Sequence, residues 1–114
     1  MAPLYDILSA YPLMGRGQGR LPMQKIKMAM AVYGANRHYE WSRMEPRHWV
    51  ETGSRCGIAE ETTRGLMNEI GESAVGVLER VRQRIPSSFP GELQEAILGG
   101  VRSSARRLGS FGKQ

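Results

Sequence analysis

From Gln24 onward apolar and polar residues alternate, with Ile26, Met28, Met30 and Val32 on one side and Lys25, Lys27 and Tyr33 on the other. That period of two is the mark of a half-buried strand. Gly34-Ala35-Asn36-Arg37 supplies turn chemistry and His38-Tyr39-Glu40-Trp41 alternates again, so the pattern predicts a short hairpin over residues 25–41. A methionine-rich helix is the competing reading, and the spacing of positions 28, 30 and 32 disfavours it. Beyond the hairpin the period lengthens. Residues Ser42 to Glu45 give a start signal, Pro46 suits a first helical turn, and Gly57 ends a helix through PRHWVETGSRC. His48 and Trp49 then fall in its first turns, where packing is the simplest role for both.

Residues 59–85 carry Leu66, Ile70, Ala74, Leu78, Val81 and Ile85 at intervals of three or four, which predicts an amphipathic helix with that stripe inward. Gly65, Gly71 and Gly76 each cost about 1 kcal/mol against Ala inside a helix, so a break near Gly71-Glu72-Ser73 is expected. Pro86 stops the run, SSFPG connects, and GELQEAILGGVRSSARRLG forms a last helix with Leu93, Ile97, Val101 and Leu108 inward. Gly100 and Ser104 on it leave room for another helix to come close.

The amino-terminal part has neither period. Leu4, Ile7 and Leu8 anchor a turn around Asp6 that Pro12 terminates, and residues 12–22, with Gly15, Gly17 and Gly19 between two prolines, read as a surface loop. The glycine string lacks the preceding strand and the following Lys-Ser or Lys-Thr that a phosphate loop requires.

Composition narrows the chemistry. The 114 residues make one small domain with a net charge of +5. No apolar run approaches the roughly 18 residues that cross a bilayer, and Asp6 replaces the basic start of a secretory signal, which predicts a soluble, cytoplasmic protein with no membrane contact. Cys56 is the sole cysteine, excluding an internal disulfide, and is expected to be a buried structural thiol. His38 and His48 are the only histidines, ten positions apart across Pro46, so a helical two-histidine zinc pair is excluded. No G-x-S-x-G turn supports a nucleophilic triad, and Asp6 is the only aspartate.

The strings PLYDILSAYP, KIKMAMAVYG and MEPRHWVETG, followed by R-x-P at Arg84 to Pro86, an S-F-P connection and a terminal ARRL, resemble the carboxy-terminal portion of HipA-family serine/threonine kinase toxins over essentially residues 1–114. The fold this implies is mainly α with one short β-hairpin, part of the carboxy-terminal lobe of a protein-kinase-like fold. The resemblance places Tyr5 and Asp6 beside the nucleotide, with Asp6 as the Mg²⁺ ligand. A hard carboxylate oxygen suits that cation and the phosphates of ATP. The same resemblance puts the amino-terminal lobe and the catalytic loop, with its base, upstream of Met1. One aspartate cannot serve as both metal ligand and general base, so the chain is expected to be inactive alone. A helix-turn-helix antitoxin and the missing kinase lobe are the partners implied, within a type II toxin-antitoxin system.

Two further readings stand beside it. In one, Arg80, Arg82, Arg84, Arg102, Arg106 and Arg107 give a stand-alone basic helical module that binds nucleic acid, weakly, or a partner protein. Against it, no aromatic residue is interleaved with them. In the other, the chain is a remnant without present function. The kinase reading adds a physical expectation: the side bearing Leu4, Ile7, Met28, Met30 and Trp49 should present an uncovered apolar patch.

Overall fold

A computed structural model describes residues 8–109. It shows a mainly helical domain in which one antiparallel hairpin precedes the helices, in the order β1 (Lys27–Tyr33), β2 (Arg37–Glu40), α1 (Pro46–Arg55), α2 (Glu60–Arg84) and α3 (Gly91–Gly109). Leu4, Tyr5, Asp6 and Ile7 lie outside the described residues.

The glycine loop is at the surface, as its composition predicts. A 3-10 turn at Tyr11–Leu13 leads into it, and the amide of Leu21 returns to the carbonyl of Leu13 at 2.7 Å, closing the loop on itself. Gly17 and Gly19 sit at φ +118° and +74°, a region that side chains disfavour.

The hairpin departs from strict alternation. Lys27 pairs with Glu40 and Val32 with His38, so five steps along β1 meet two along β2 and the register shifts between them. An irregularity of this kind rotates the residues within it. Val32 is buried and Met28 half-buried, but Met30, expected on the same inward face, is 77% exposed.

Helix α1 has the predicted ends. Pro46 fills the first position, where no backbone donor is needed. At the other end Gly57, at φ +77°, donates to Ser54 and Ile58 donates to Gly53, at 3.0 and 2.9 Å, the paired bonds of a Schellman motif. Cys56 caps this turn and is exposed, contrary to the buried role expected of it.

Helix α2 runs unbroken through Gly71, so the expected interruption does not occur. The physical reason is on the neighbouring helix: a Cβ at Gly71 would stand 3.2 Å from the backbone nitrogen of Gly109 and 3.4 Å from the carbonyl of Ala105. The glycine's intrinsic helix cost is offset by close approach of α3. Contact between Gly71 and Gly109 at one end, and the Arg82–Glu95 ion pair at 3.0 Å toward the other, makes the two helices antiparallel.

This packing turns both helices away from the orientation expected. On α2 the inward line is Met67, Gly71, Ala74 and Leu78, continued by half-buried Ile85 just past its end, while Leu66, Ile70 and Val81 are exposed. On α3 Leu98 and Ala105 are buried and Ile97 and Leu108 half-buried, whereas Leu93 and Val101 reach solvent. The close approach expected at Gly100 and Ser104 is made by a tyrosine, not a helix. The ring of Tyr11 lies where a Cβ at Gly100 would project, and its hydroxyl is 2.6 Å from Ser104 Oγ. Among the described residues the buried apolar set comprises Val32, Met67, Leu78, Leu98 and Ala105, a small core.

Candidate functional site

The two sides of α1 carry different chemistry. One side helps form an apolar groove of about 530 Å³ at the junction of the hairpin, α1, α2 and the carboxy-terminal end of α3. Trp41 and Met44 line it from the stretch before α1, Trp49 from α1 itself, Ile58 from the α1–α2 turn, and Leu66 and Ile70 from α2. Leu66 and Ile70 are 52% and 56% exposed, and so account for much of the uncovered apolar surface here.

Local structure explains why the groove is open. Thr63 of α2 meets α1 where Gly53 has no side chain, and α3 meets α2 where Gly71 has none. These close contacts draw the backbones together on one side of α2. The flanking larger residues, Leu66 and Ile70, are left without a facing element. Trp41 contributes a polar feature: its Nε1–H is buried and has no hydrogen-bond partner among the described residues. Its ring stands edge-on to Tyr11, with centroids 6.3 Å apart. An unmade bond of this type costs about 1–3 kcal/mol.

The opposite side of α1 faces the hairpin through polar contacts. His48 is 3% exposed and its ring stacks on His38 of β2, with centroids 4.0 Å apart and planes 16° from parallel. The backbone N–H of Glu45 donates to His48 Nδ1 at 3.1 Å, so the ring hydrogen belongs on Nε2. The hydroxyl of Thr52 donates to the carbonyl of His48 at 2.7 Å and accepts from the N–H of Tyr33 at 2.8 Å, which ties β1 to α1. Gly34 completes the arrangement, because a Cβ there would stand 3.0 Å from His38 Nε2 and 3.1 Å from His48 Cδ2.

Burial is the main reason the His48 pKa lies below the usual histidine value, and neighbouring His38 and Arg47 push it the same way against the opposing pull of Glu45. The guanidinium of Arg55 bonds Glu51 at 2.9 Å and lies over the Tyr33 ring at 4.5 Å, flanking the cleft in front of the pair.

The sequence reading excluded a helical zinc pair at His38 and His48, and the structure is consistent with that, since they stack face to face and come from different elements. It missed their contact. The signal available in the sequence is slight: a polar histidine within the alternating stretch His38-Tyr39-Glu40-Trp41.

Tyr5 and Asp6, the site residues implied by the kinase resemblance, lie outside the described residues. Among the described residues no group of three or more His, Cys, Asp or Glu side chains is placed to hold a metal ion, and no helix is long and apolar enough to cross a membrane. The assignment of Mg²⁺ and ATP therefore rests on the resemblance alone. No protein-family model matches the chain.

Proposed function

We propose that the chain is a carboxy-terminal segment of a HipA-like protein serine/threonine kinase, and that its apolar groove receives the amino-terminal kinase lobe. The observation that carries the docking part is the groove itself. It leaves Leu66 and Ile70 exposed beside the apolar side chains of Trp49 and Ile58. Apolar surface of this kind signals a partner more often than a bare surface. The identity of that partner comes from the sequence strings that carry the kinase resemblance, as do the roles of Tyr5 and Asp6.

The chain's own contribution is then to complete the lobe, and the lysine, base and adenine pocket come from the other part. The test supplies a family amino-terminal lobe in trans or by fusion and measures nucleotide binding and phosphorylation. Nucleotide binding should return with the lobe, and Asp6→Asn should sharply reduce phosphorylation while leaving folding unchanged. ATP-dependent phosphorylation by this chain alone would overturn the segment reading, and an active Asp6→Asn fusion would overturn the assignment of the ligand.

A second reading is favoured by the arginines. Arg82 is paired with Glu95, but Arg80, Arg84, Arg102 and Arg106 form no ion pair among the described residues. They support weak electrostatic contact with nucleic acid or an acidic partner. Binding of that kind falls steeply with salt and ignores sequence, and tight sequence-specific binding to a duplex at moderate salt would move this reading ahead.

A further inference from the structure

We propose that the stacked pair of His38 and His48 is a proton-sensitive latch that fastens the hairpin to α1 only while the His48 imidazole is neutral. The geometry supplies the reason at each atom. Nδ1 of His48 accepts the N–H of Glu45 at 3.1 Å, which requires a lone pair on that nitrogen. A proton added to the ring would turn this acceptor into a donor facing a donor. It would also place a positive charge in a site that is 3% exposed, against the stacked ring of His38 4.0 Å away.

The surrounding charges do little to rescue the cation. The groups around the pair are His38 from β2, Glu45 at the start of α1, and Arg47, Glu51 and Arg55 from α1, and no ionisable residue of α2 or α3 lines the cleft. Arg47 disfavours the charged ring, and Glu51 is engaged by Arg55 at 2.9 Å. Glu45 alone favours it, and its carboxylate is bound by the Arg47 guanidinium at 2.6 Å. The ring therefore cannot relax by rotating toward an unoccupied acid on its own helix.

The sign of the linkage follows. Because the folded His48 binds its proton less readily than the unfolded one, the unfolded chain holds more protons between the lowered folded pKa and the ordinary value near 6.5. The latch contributes fully above that ordinary value. Its contribution falls as pH drops through the window, and levels off below the folded pKa. Tyr33 and Glu45 are the amides that report it, since one bonds Thr52 beside His48 and the other bonds the ring. Helix α1 also presents Trp49 and Gly53 to the groove, so loosening the latch displaces one wall of it. That last consequence rests on the docking reading, whereas the latch does not.

The experiment is amide hydrogen exchange on the 114-residue chain at pH 7.5 and 5.5, corrected for the intrinsic pH dependence of exchange, with His48→Gln beside the unsubstituted protein. Gln at this third helical position can still reach back to the Glu45 N–H but cannot titrate. The opening equilibrium at Tyr33 and Glu45 should rise at the lower pH, by at most about tenfold per pH unit for one proton, while amides of α2 and α3 change less. In His48→Gln that rise should vanish. Equal protection of Tyr33 and Glu45 at both pH values would overturn the latch. So would loss of protection at the same rate throughout α2 and α3, or an unchanged pH response in His48→Gln. If that variant does not fold, the contrast between the two groups of amides in the unsubstituted chain decides the matter.

Discussion

The hairpin–α1 unit and the α2–α3 pair are held together by opposite means. The first depends on directional polar contacts: Tyr33 N–H to Thr52, Thr52 to the His48 carbonyl, Glu45 N–H to the His48 ring, and the imidazole stack. The second depends on close backbone approach at Gly71 and on Leu78, Leu98 and Ala105, with the Arg82–Glu95 pair at an exposed edge. Apolar contact has no acid-base dependence of its own, whereas a buried neutral histidine does. The comparison teaches that a change in pH should loosen one half of this small domain before the other. The groove lies along the seam between them.

The largest way to break the comparison is to damage the apolar half. Leu98 is 5% exposed, and Leu98→Ala removes buried methyl groups from a core with few others to compensate. A loss of about 2–5 kcal/mol is expected, enough to unfold much of the chain. Urea denaturation followed by circular dichroism checks this, and both halves should melt together because the hairpin unit has only Val32 as a buried apolar anchor. A hairpin and α1 that survive the unfolding of α2 and α3 would show the two halves to be independent.

A smaller effect is expected in the polar half. Thr52→Val keeps the shape of the side chain but removes the acceptor of the Tyr33 N–H and the donor to the His48 carbonyl. Leaving a half-buried donor unsatisfied costs about 1–3 kcal/mol. Here the loss should be local, seen as faster exchange at Tyr33 with α3 amides little changed. A uniform loss across the molecule would mean that the two halves unfold as one and that the polar contacts are not a separable unit.

Which features were legible in the sequence follows from the range of the forces involved. The bounds of α1 and α3 and the stop at Pro86 are set by prolines, glycines and caps acting within a few residues, and they came out close to expectation. The inward faces of α2 and α3 did not. Helix α2 carries apolar or small residues both along Met67, Gly71, Ala74 and Leu78 and along the adjacent Leu66, Ile70 and Val81, and local pattern cannot say which of two neighbouring stripes a partner will cover. The choice is made by glycine contacts between elements, at Gly53 with Thr63 across the α1–α2 turn and at Gly71 with Gly109 far along the chain. The histidine stack was hidden for a similar reason, since it depends on the register shift between Lys27 and Val32 and on where α1 lands against β2. An apolar patch is expected on the side bearing Leu4, Ile7, Met28, Met30 and Trp49; Met28 and Trp49 line the groove, Met30 is exposed but does not line it, and Leu4 and Ile7 lie outside the described residues. The groove's larger exposed contribution comes from Leu66 and Ile70, which the stripe had assigned to the core.

The smallest effect on stability sharpens the comparison most, because it separates surface kept for a partner from surface that holds the fold. Leu66 and Ile70 are half out in solvent, and the double substitution Leu66→Gln with Ile70→Gln retains good helix formers at both positions. Surface changes of this kind usually stay within about 0.5 kcal/mol each, so the urea midpoint should move little. Fluorescence of an apolar dye should nonetheless fall markedly, and association with a supplied amino-terminal lobe should be lost, since both residues line the groove. Two losses without unfolding would mark the groove as a docking surface. If stability instead dropped as far as it does for Leu98→Ala, the two leucine-class side chains would be part of the core in solution, with the groove closed over them. A lobe that still bound the doubly substituted chain would have to dock elsewhere, and the remaining exposed apolar positions on α2, Val75, Val77 and Val81, would be the next to substitute.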